Sequence, residues 1–205
     1  MGRRGCAGDQ GSACQNGRMA RTLWHNTMSL DGYVAGPNGD MDWMKAYVGP
    51  NERVTEVLPQ IGAILIGART YYGIRANPEQ ARPYGGAINV PCFVLTHADP
   101  NTAASGFTFL SREMQAVVDS AAALAGDRYV AVLGQQAGQA VMEAGLLDEI
   151  LIHLVPALLG QGVRMFASDS PVRELTLKRC RRSAKVIDLW YTCEHHKPAS
   201  GGVTS

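Results

Sequence analysis

Ala63-Ile64-Leu65-Ile66-Gly67-Ala68-Arg69-Thr70 and Tyr129-Val130-Ala131-Val132-Leu133-Gly134-Gln135-Gln136 are two versions of one pattern. In each, a short run of unbroken apolar residues is closed by a glycine, and residues suited to a helix follow at once. A strand without polar alternation is covered on both faces, as in parallel sheets clothed by helices.

Outward from these runs the alternation continues. Arg21–Met28 reads as a strand, continued by Tyr33–Ala35 after a kink at Asp31-Gly32. Met41–Val48 fits a short helix, and Asn51–Leu58 a second, capped by Asn51 and stopped by Pro59. The helix that starts at Arg69 is short, because Gly73 and Pro78 follow. Val90–Thr96 supplies a third central strand, with Pro91 near its start, where a missing N–H is tolerated. Ser111 caps a further helix, with Glu113 in its first turn, Met114, Val117, Val118, Ala121 and Leu124 along one face, and Gly126 at its end. Gln135–Ala144 forms another, ending at Gly145, and Asp148-Glu149 closes the loop that follows.

Beyond it the character changes. Glu149–Leu154, Glu174–Arg182 and Lys185–Glu194 are strand-like with no helices between them, the last two joined by a turn near Arg182-Ser183-Ala184. The order β-α-β-α-β followed by β-β-β predicts one α/β domain over 20–194. It is a mostly parallel central sheet between helices, finished by a C-terminal antiparallel hairpin. Residues 1–19 lack a hydrophobic period and read as a disordered tail or an over-long start, since Met19 immediately precedes the first strand; 195–205 read as a second tail.

The 205 residues are 46% hydrophobic and 18% charged, which fits a buried core and excludes a disordered chain. Nineteen basic against eighteen acidic residues leave a net charge of +1. That gives no footprint for nucleic acid or an anionic membrane surface, so any bound anion is held locally. No apolar run approaches the roughly 20 residues of a membrane-spanning helix. Five cysteines without a CxxC spacing argue against a zinc site or a disulfide framework and favour a reducing cytoplasm; Cys92 and Cys193 read as buried thiols.

Ligands of open parallel sheets sit beyond the carboxyl ends of the strands. Here those ends carry Thr27 to Gly32, then Gly67 to Thr70, then Thr96-His97, then Gly134 to Ala137. Gly67 and Gly134 each stand between an apolar strand and a helix, where a ligand can approach the backbone and the helix's unpaired N–H groups favour an anion. Arg69 and Thr70 add a charge and a hydroxyl, and a pyrophosphate bridged between two such helix ends suits the site. There is no GxGxxG after a strand; Gly160-Gln161-Gly162 reads as a turn. Asp31, Asp40 and Asp42 crowd the first loop as candidate acids or as turn and cap residues, and Trp43 beside them either stacks on a flat heterocycle or packs the 43–47 helix. His25 and His153 read as satisfied core or interface residues, and no metal-ligand spacing occurs among the histidines.

Met28-Ser29-Leu30-Asp31-Gly32-Tyr33-Val34-Ala35 with Met41-Asp42-Trp43, then Gly67-Ala68-Arg69-Thr70-Tyr71, then Ala144 to Ile150 with Pro156 to Gly162 and Phe166, together resemble the dihydrofolate reductase-like superfamily. Within it the chain is most similar to the pyrimidine reductase domain of riboflavin biosynthesis. The resemblance spans about residues 22–193. It implies a three-layer sandwich, an NADPH-dependent reductase and a homodimer. By position it implies Thr27, Val34 and Ala35 around the nicotinamide, and Arg69 and Thr70 on the phosphates with Gly67 allowing their approach. It further implies Thr96 and His97 by the 2′-phosphate, Gly134, Gln135, Gln136 and Ala137 on the pyrophosphate, and Ser29, Trp43 and Tyr47 on the substrate.

Two departures narrow it. One glycine, Gly134, stands where the family has a pair, and Met44-Lys45-Ala46-Tyr47-Val48 after Trp43 holds no carboxylate, unlike a true dihydrofolate reductase. Asp31 and Tyr47 are then the candidate proton donors for hydride transfer to a C=N or C=O carbon of a small pyrimidine- or pterin-like substrate. A flavin- or deazaflavin-dependent reductase, and a non-catalytic nucleotide- or drug-binding dimer, remain alternative readings of the same pocket.

Overall fold

A computed structural model describes residues 19–47, 52–76, 82–96, 106–166, 172–183 and 185–194. The expected tails, apart from Met19, the cap Asn51, Val48 and His97 lie outside them. The elements run β1 (Thr22–Ser29), β2 (Tyr33–Ala35), α1 (Glu52–Val57), β3 (Ile61–Gly67), α2 (Ala68–Ala76), β4 (Cys92–Leu95) and β5 (Phe107–Leu110). They continue α3 (Met114–Ala125), β6 (Tyr129–Leu133), α4 (Gln135–Glu143), β7 (Glu149–Val155), β8 (Val163–Arg164), β9 (Leu175–Ser183) and β10 (Val186–Cys193).

Eight strands form one sheet in the order β5-β4-β3-β6-β1-β7-β10-β9. It is parallel from β5 through β7 and antiparallel at the β10–β9 hairpin. The unbroken apolar runs of β3 and β6 split their side chains between two cores. Leu65 and Val132 join Val117 and Val118 of α3 and Val141 of α4 on one face. Ile64 and Ile66 join Val57 of α1 and Tyr71 of α2 on the other. Helices on both faces of a mostly parallel sheet make the expected three layers.

Several local expectations are corrected. Tyr33–Ala35 does not prolong β1: the chain reverses at Gly32 (φ +88) and β2 pairs with β8 in a separate two-stranded ribbon. β5 was not expected; it is only four residues long and partly exposed, and it adds a parallel edge beside β4. As a consequence α3 starts at Met114 with no side-chain cap, so Ser111 belongs to the end of β5 and caps nothing. Leu124 turns to solvent, 57% exposed. In the described part of the expected Met41–Val48 helix, through Tyr47, there is a 3-10 turn, Asp42–Ala46. Cys92 is buried but Cys193 only partly so.

Asp148-Glu149 does more than close a loop. Asp148 accepts the Thr22 N–H at 2.7 Å. Glu149, fully buried, accepts from Arg21 (2.7 Å), Lys178 (2.9 Å), the Tyr129 hydroxyl (3.1 Å) and the Trp190 indole, tying β1, β6, β9 and β10 to β7. Four donors make up for the water that this carboxylate loses.

Trp24, wholly buried on β1, packs against α4 at Gly138 and lies edge-on to Phe166 at 5.4 Å between ring centroids. A Cβ on Gly138 would run into the indole, whereas one on Gly73 of α2 meets nothing. Gly138→Ala is therefore expected to lose about 1–3 kcal/mol through overpacking. Gly73→Ala is expected to gain about 0.5–1 kcal/mol, as exposed helical glycines do. Urea unfolding of both variants checks the opposite signs.

Candidate functional site

β3 and β6 are neighbours, and Ile66 pairs with Leu133, so the two strands end at the same level. The glycine turns that follow consequently touch. A Cβ built on Gly67 would stand 3.8 Å from the Ala137 amide nitrogen and 3.9 Å from the Gln136 Cβ. One built on Gly134, whose φ is +85, would collide with the Thr70 hydroxyl. Only glycine satisfies both the backbone angle and the contact at Gly134. The first turns of α2 and α4, with amides that lack partners inside their helices, open on the same space.

That space is a cleft of about 730 Å³. Gly67, Ala68, Gln135, Gln136 and Ala137 line it, together with Thr96, Leu110 and Arg112. Five of the residues expected at the cofactor (Gly67, Thr96, Gln135, Gln136 and Ala137) are thus brought together. Thr70 and Gly134 touch each other beside the cleft without lining it, and Arg69 is exposed outside its wall. Thr27 is half-buried on β1, while Val34 and Ala35 are buried in the ribbon, and none of the three lines the cleft.

Ser111, Arg112 and Glu113 line the cleft as well and were missed from sequence. They follow β5, so recognising the short alternation Phe107-Thr108-Phe109-Leu110 as a strand would have put Arg112 on the list of strand-end residues.

The first loop is held by its own side chains. The Ser29 hydroxyl donates to Asp31 Oδ1 (2.6 Å) and accepts the Tyr33 N–H (2.9 Å), so it is tied up within the turn. Asp31 also accepts the N–H groups of Leu159 (3.1 Å) and Gly160 (2.7 Å), clamping the 157–160 loop to the end of β1. The Ser29 hydroxyl, helped by these amides, lowers the Asp31 carboxyl to about 2. An acid with that pKa is ionised near neutrality and holds no proton to give. Ser29 and Asp31 thus build the turn, which for Asp31 is one of the two roles its sequence position suggested.

Lys45 pairs with Asp42 at 2.7 Å on the surface. Trp43 and Tyr47 are half-buried, and the Trp43 indole N–H is buried with no hydrogen-bond partner among the described residues. It is the one group of this loop left with unused donor capacity of that kind. Gly160-Gln161-Gly162 is a turn leading into β8, as expected. His25 and His153 are buried and hydrogen-bonded to each other, and onward to the Tyr84 hydroxyl and to Asp188.

Because the folded Asp31 pKa lies below the ordinary 3.8, its contribution to stability is present above that value and is lost as pH falls through about 2. Asp31→Asn is expected to melt at lower temperature near neutrality. It is also expected to lose the part of the acid destabilisation that the wild type shows between those two values. Thermal scans against pH compare the two.

Known proteins are similar to this chain in sequence and in fold. Residues 22–189 match the family model for the RibD C-terminal domain. The uncharacterized protein YwjB of Bacillus subtilis (strain 168) is 22% identical over 172 residues, covering 83% of this chain and 97% of YwjB. A candidate riboflavin biosynthesis protein of Shewanella sp. PV-4 has a similar structure, with TM-score 0.71, 20% identity, and 85% and 99% of the two chains covered. So has the dihydrofolate reductase of Enterococcus faecalis, solved with NADP(H), with TM-score 0.60, 14% identity, and 86% and 97% covered. The match over most of the folded unit, on a sheet whose paired glycine turns open one cleft, makes this chain a member of the RibD C-terminal domain family.

Proposed function

We propose that the protein is an NADPH-dependent reductase acting on a C=N or C=O carbon of a small, pyrimidine- or pterin-like heterocycle. The observation that carries this reading is the contact between the Gly67 and Gly134 turns at the head of the 730 Å³ cleft. Gly67 carries no Cβ, which would stand 3.8 Å from the Ala137 amide nitrogen, so a diphosphate can approach backbone N–H groups of two helices together. Gln135, Gln136 and Ala137 receive it from one side and Ala68 from the other, with Arg69 and Thr70 at the flank. Thr96 and Arg112, which also line the cleft, suit a 2′-phosphate. Thr27, Val34 and Ala35 belong to the nicotinamide end, and Trp43 and Tyr47 to the substrate.

When bound, NADPH supplies the hydride; the chain's part is to hold the acceptor face to face with it and to exclude water. Membership of the RibD C-terminal domain family supports the reading, as does a dihydrofolate reductase of the same fold solved with NADP(H). A reducing cytoplasm is the compartment that fits it.

The same reading includes a homodimer. By strand register, Leu175, Leu177 and Ile187 share a face of the hairpin with Leu189, and they are 39%, 53% and 43% exposed. A second copy covering this apolar face is the occupant we propose.

Tryptophan fluorescence during titration with NADPH and NADH tests the cofactor. Micromolar NADPH binding is expected, and Arg112→Ala should weaken NADPH about 10–100-fold while leaving NADH nearly unchanged, the effect of losing one charge-assisted phosphate contact. Binding of neither cofactor contradicts the reading; binding of a flavin or deazaflavin instead favours that reductase class, and NADPH held without turnover favours a sequestering role. Light scattering tests the assembly: the wild type should run as a dimer and Leu177→Glu as a monomer.

A further inference from the structure

Four polar side chains meet on the sheet face that carries α1 and α2. His153 Nε2 lies 2.6 Å from His25 Nε2, His153 Nδ1 lies 2.6 Å from Asp188 Oδ1, and His25 Nδ1 lies 2.8 Å from the Tyr84 hydroxyl. His25, His153 and Asp188 are buried on the adjacent strands β1, β7 and β10, and strand ladders hold them there. Tyr84 has no such support. It belongs to the turn Pro83–Gly86, which bonds within itself from the Ala87 N–H to the Tyr84 carbonyl (3.2 Å). Three successive residues there have positive φ: Tyr84 at +56, Gly85 at +61 and Gly86 at +78. That conformation is costly for a tyrosine, and the hydroxyl's bond to His25 helps to offset the cost.

Two imidazole nitrogens in contact form a hydrogen bond only with one proton between them. In the neutral arrangement the Tyr84 O–H donates to His25 Nδ1, His25 Nε2–H to His153 Nε2, and His153 Nδ1–H to the Asp188 carboxylate. One further proton breaks no contact: His25 Nδ1–H then donates to the Tyr84 oxygen and the phenol hydrogen turns away. Whichever ring carries that charge, one proton still lies between the Nε2 atoms. A second added proton sets N–H against N–H across 2.6 Å and puts two positive charges side by side in a buried site. The charged and titratable groups facing the pair are Asp188 of β10, Tyr84 of the turn and, one strand further, Arg181 of β9. Arg181 stands opposite Asp188 in register and pairs with Glu56 of α1 at 3.4 Å. β6 meets this face with the apolar Ala131 and Leu133. Burial raises the Tyr84 phenol, so Tyr84 keeps its proton throughout. Burial, reinforced by His153 and opposed by Asp188, lowers the His25 imidazole well below the ordinary 6.5. Its contribution to stability is therefore whole above 6.5 and is lost as pH falls from there toward the lowered value.

We propose that the His25–His153 pair is a one-proton latch, and that a second proton releases Tyr84 and its turn from the sheet. Release gives the His25 ring water and each proton its own partner, while the strands keep their ladders. The part that moves is the one with strained backbone outside any ladder. Each opened molecule takes up one proton more than a closed one, so the open population grows about tenfold for each pH unit of acidification. The latch stands apart from the coenzyme cleft, which neither histidine lines.

NMR of the full chain, with 13C in its tyrosine rings and 15N in its histidine rings, tests the latch without any ligand. Tyr84→Phe identifies the Tyr84 signals. From about pH 7.5 down to about 4.5, above the range in which Asp31 titrates, these signals should move to those of a solvent-exposed ring as the second imidazole proton is taken up. Tyr71 and Tyr129, buried elsewhere on the same face, should keep their signals. His25→Gln and His153→Gln each leave a single ring, whose charged form finds acceptors on both sides, so Tyr84 should stay in place at the acid end. Tyr84 signals that do not move in the wild type, with the imidazoles neutral or charged, overturn the latch. So does a change of all three tyrosines together, as in global unfolding, or an acid shift of Tyr84 that persists in a folded His25→Gln.

Discussion

Two parallel strands that end at the same level set the terms for the site. Ile66 and Leu133 are paired, so the residues that follow, Gly67 and Gly134, turn off the sheet side by side. α2 leaves toward one face and α4 toward the other. Two helix amino ends can share one space only if neither turn carries a side chain there, and Gly134 must in addition reach a positive φ beside Thr70. The cleft therefore follows from strand register together with two missing Cβ atoms. Among the described residues, Arg112 is the one cation that lines it.

The rest of the molecule holds that level fixed. Glu149 and Asp148 tie the amino ends of β1, β6 and β7 to the hairpin, which sets the register from below. Ser29 and Asp31 lock the carboxyl end of β1 against the 157–160 loop. Asp31, which looks chemical in the sequence, thus spends its oxygens on the turn and the facing loop. A carboxylate facing several backbone amides is pulled toward the ionised form.

Much of this was legible in the chain. The runs 63–66 and 129–133 announced central strands, and their closing glycines pointed to the cleft before any coordinates, because a two-faced strand leaves only its end for a ligand. The hairpin was legible from the absence of helices after Glu149. Features set by distant partners were not. β2 pairs with β8 across more than a hundred residues, so Tyr33–Ala35 looked like the continuation of β1. β5 is short and marginal in pattern, and with it Arg112 stayed hidden. His25, Tyr84, His153 and Asp188 are scattered along the sequence and meet only through sheet order, which no spacing rule reports.

The central claim is that a diphosphate lies against the backbone between the Gly67 and Gly134 turns, and Gly67→Ala probes it most directly. The added methyl would make only ordinary contacts with Gln136 and Ala137 at 3.8–3.9 Å, so the fold should keep its melting temperature, yet the methyl occupies the ligand's line of approach. Equilibrium titration with NADPH should show at least about 10-fold weaker binding than the wild type, the size of one or more lost charge-assisted hydrogen bonds. An affinity unchanged by Gly67→Ala, in a variant of wild-type stability, would place the coenzyme elsewhere and contradict the account.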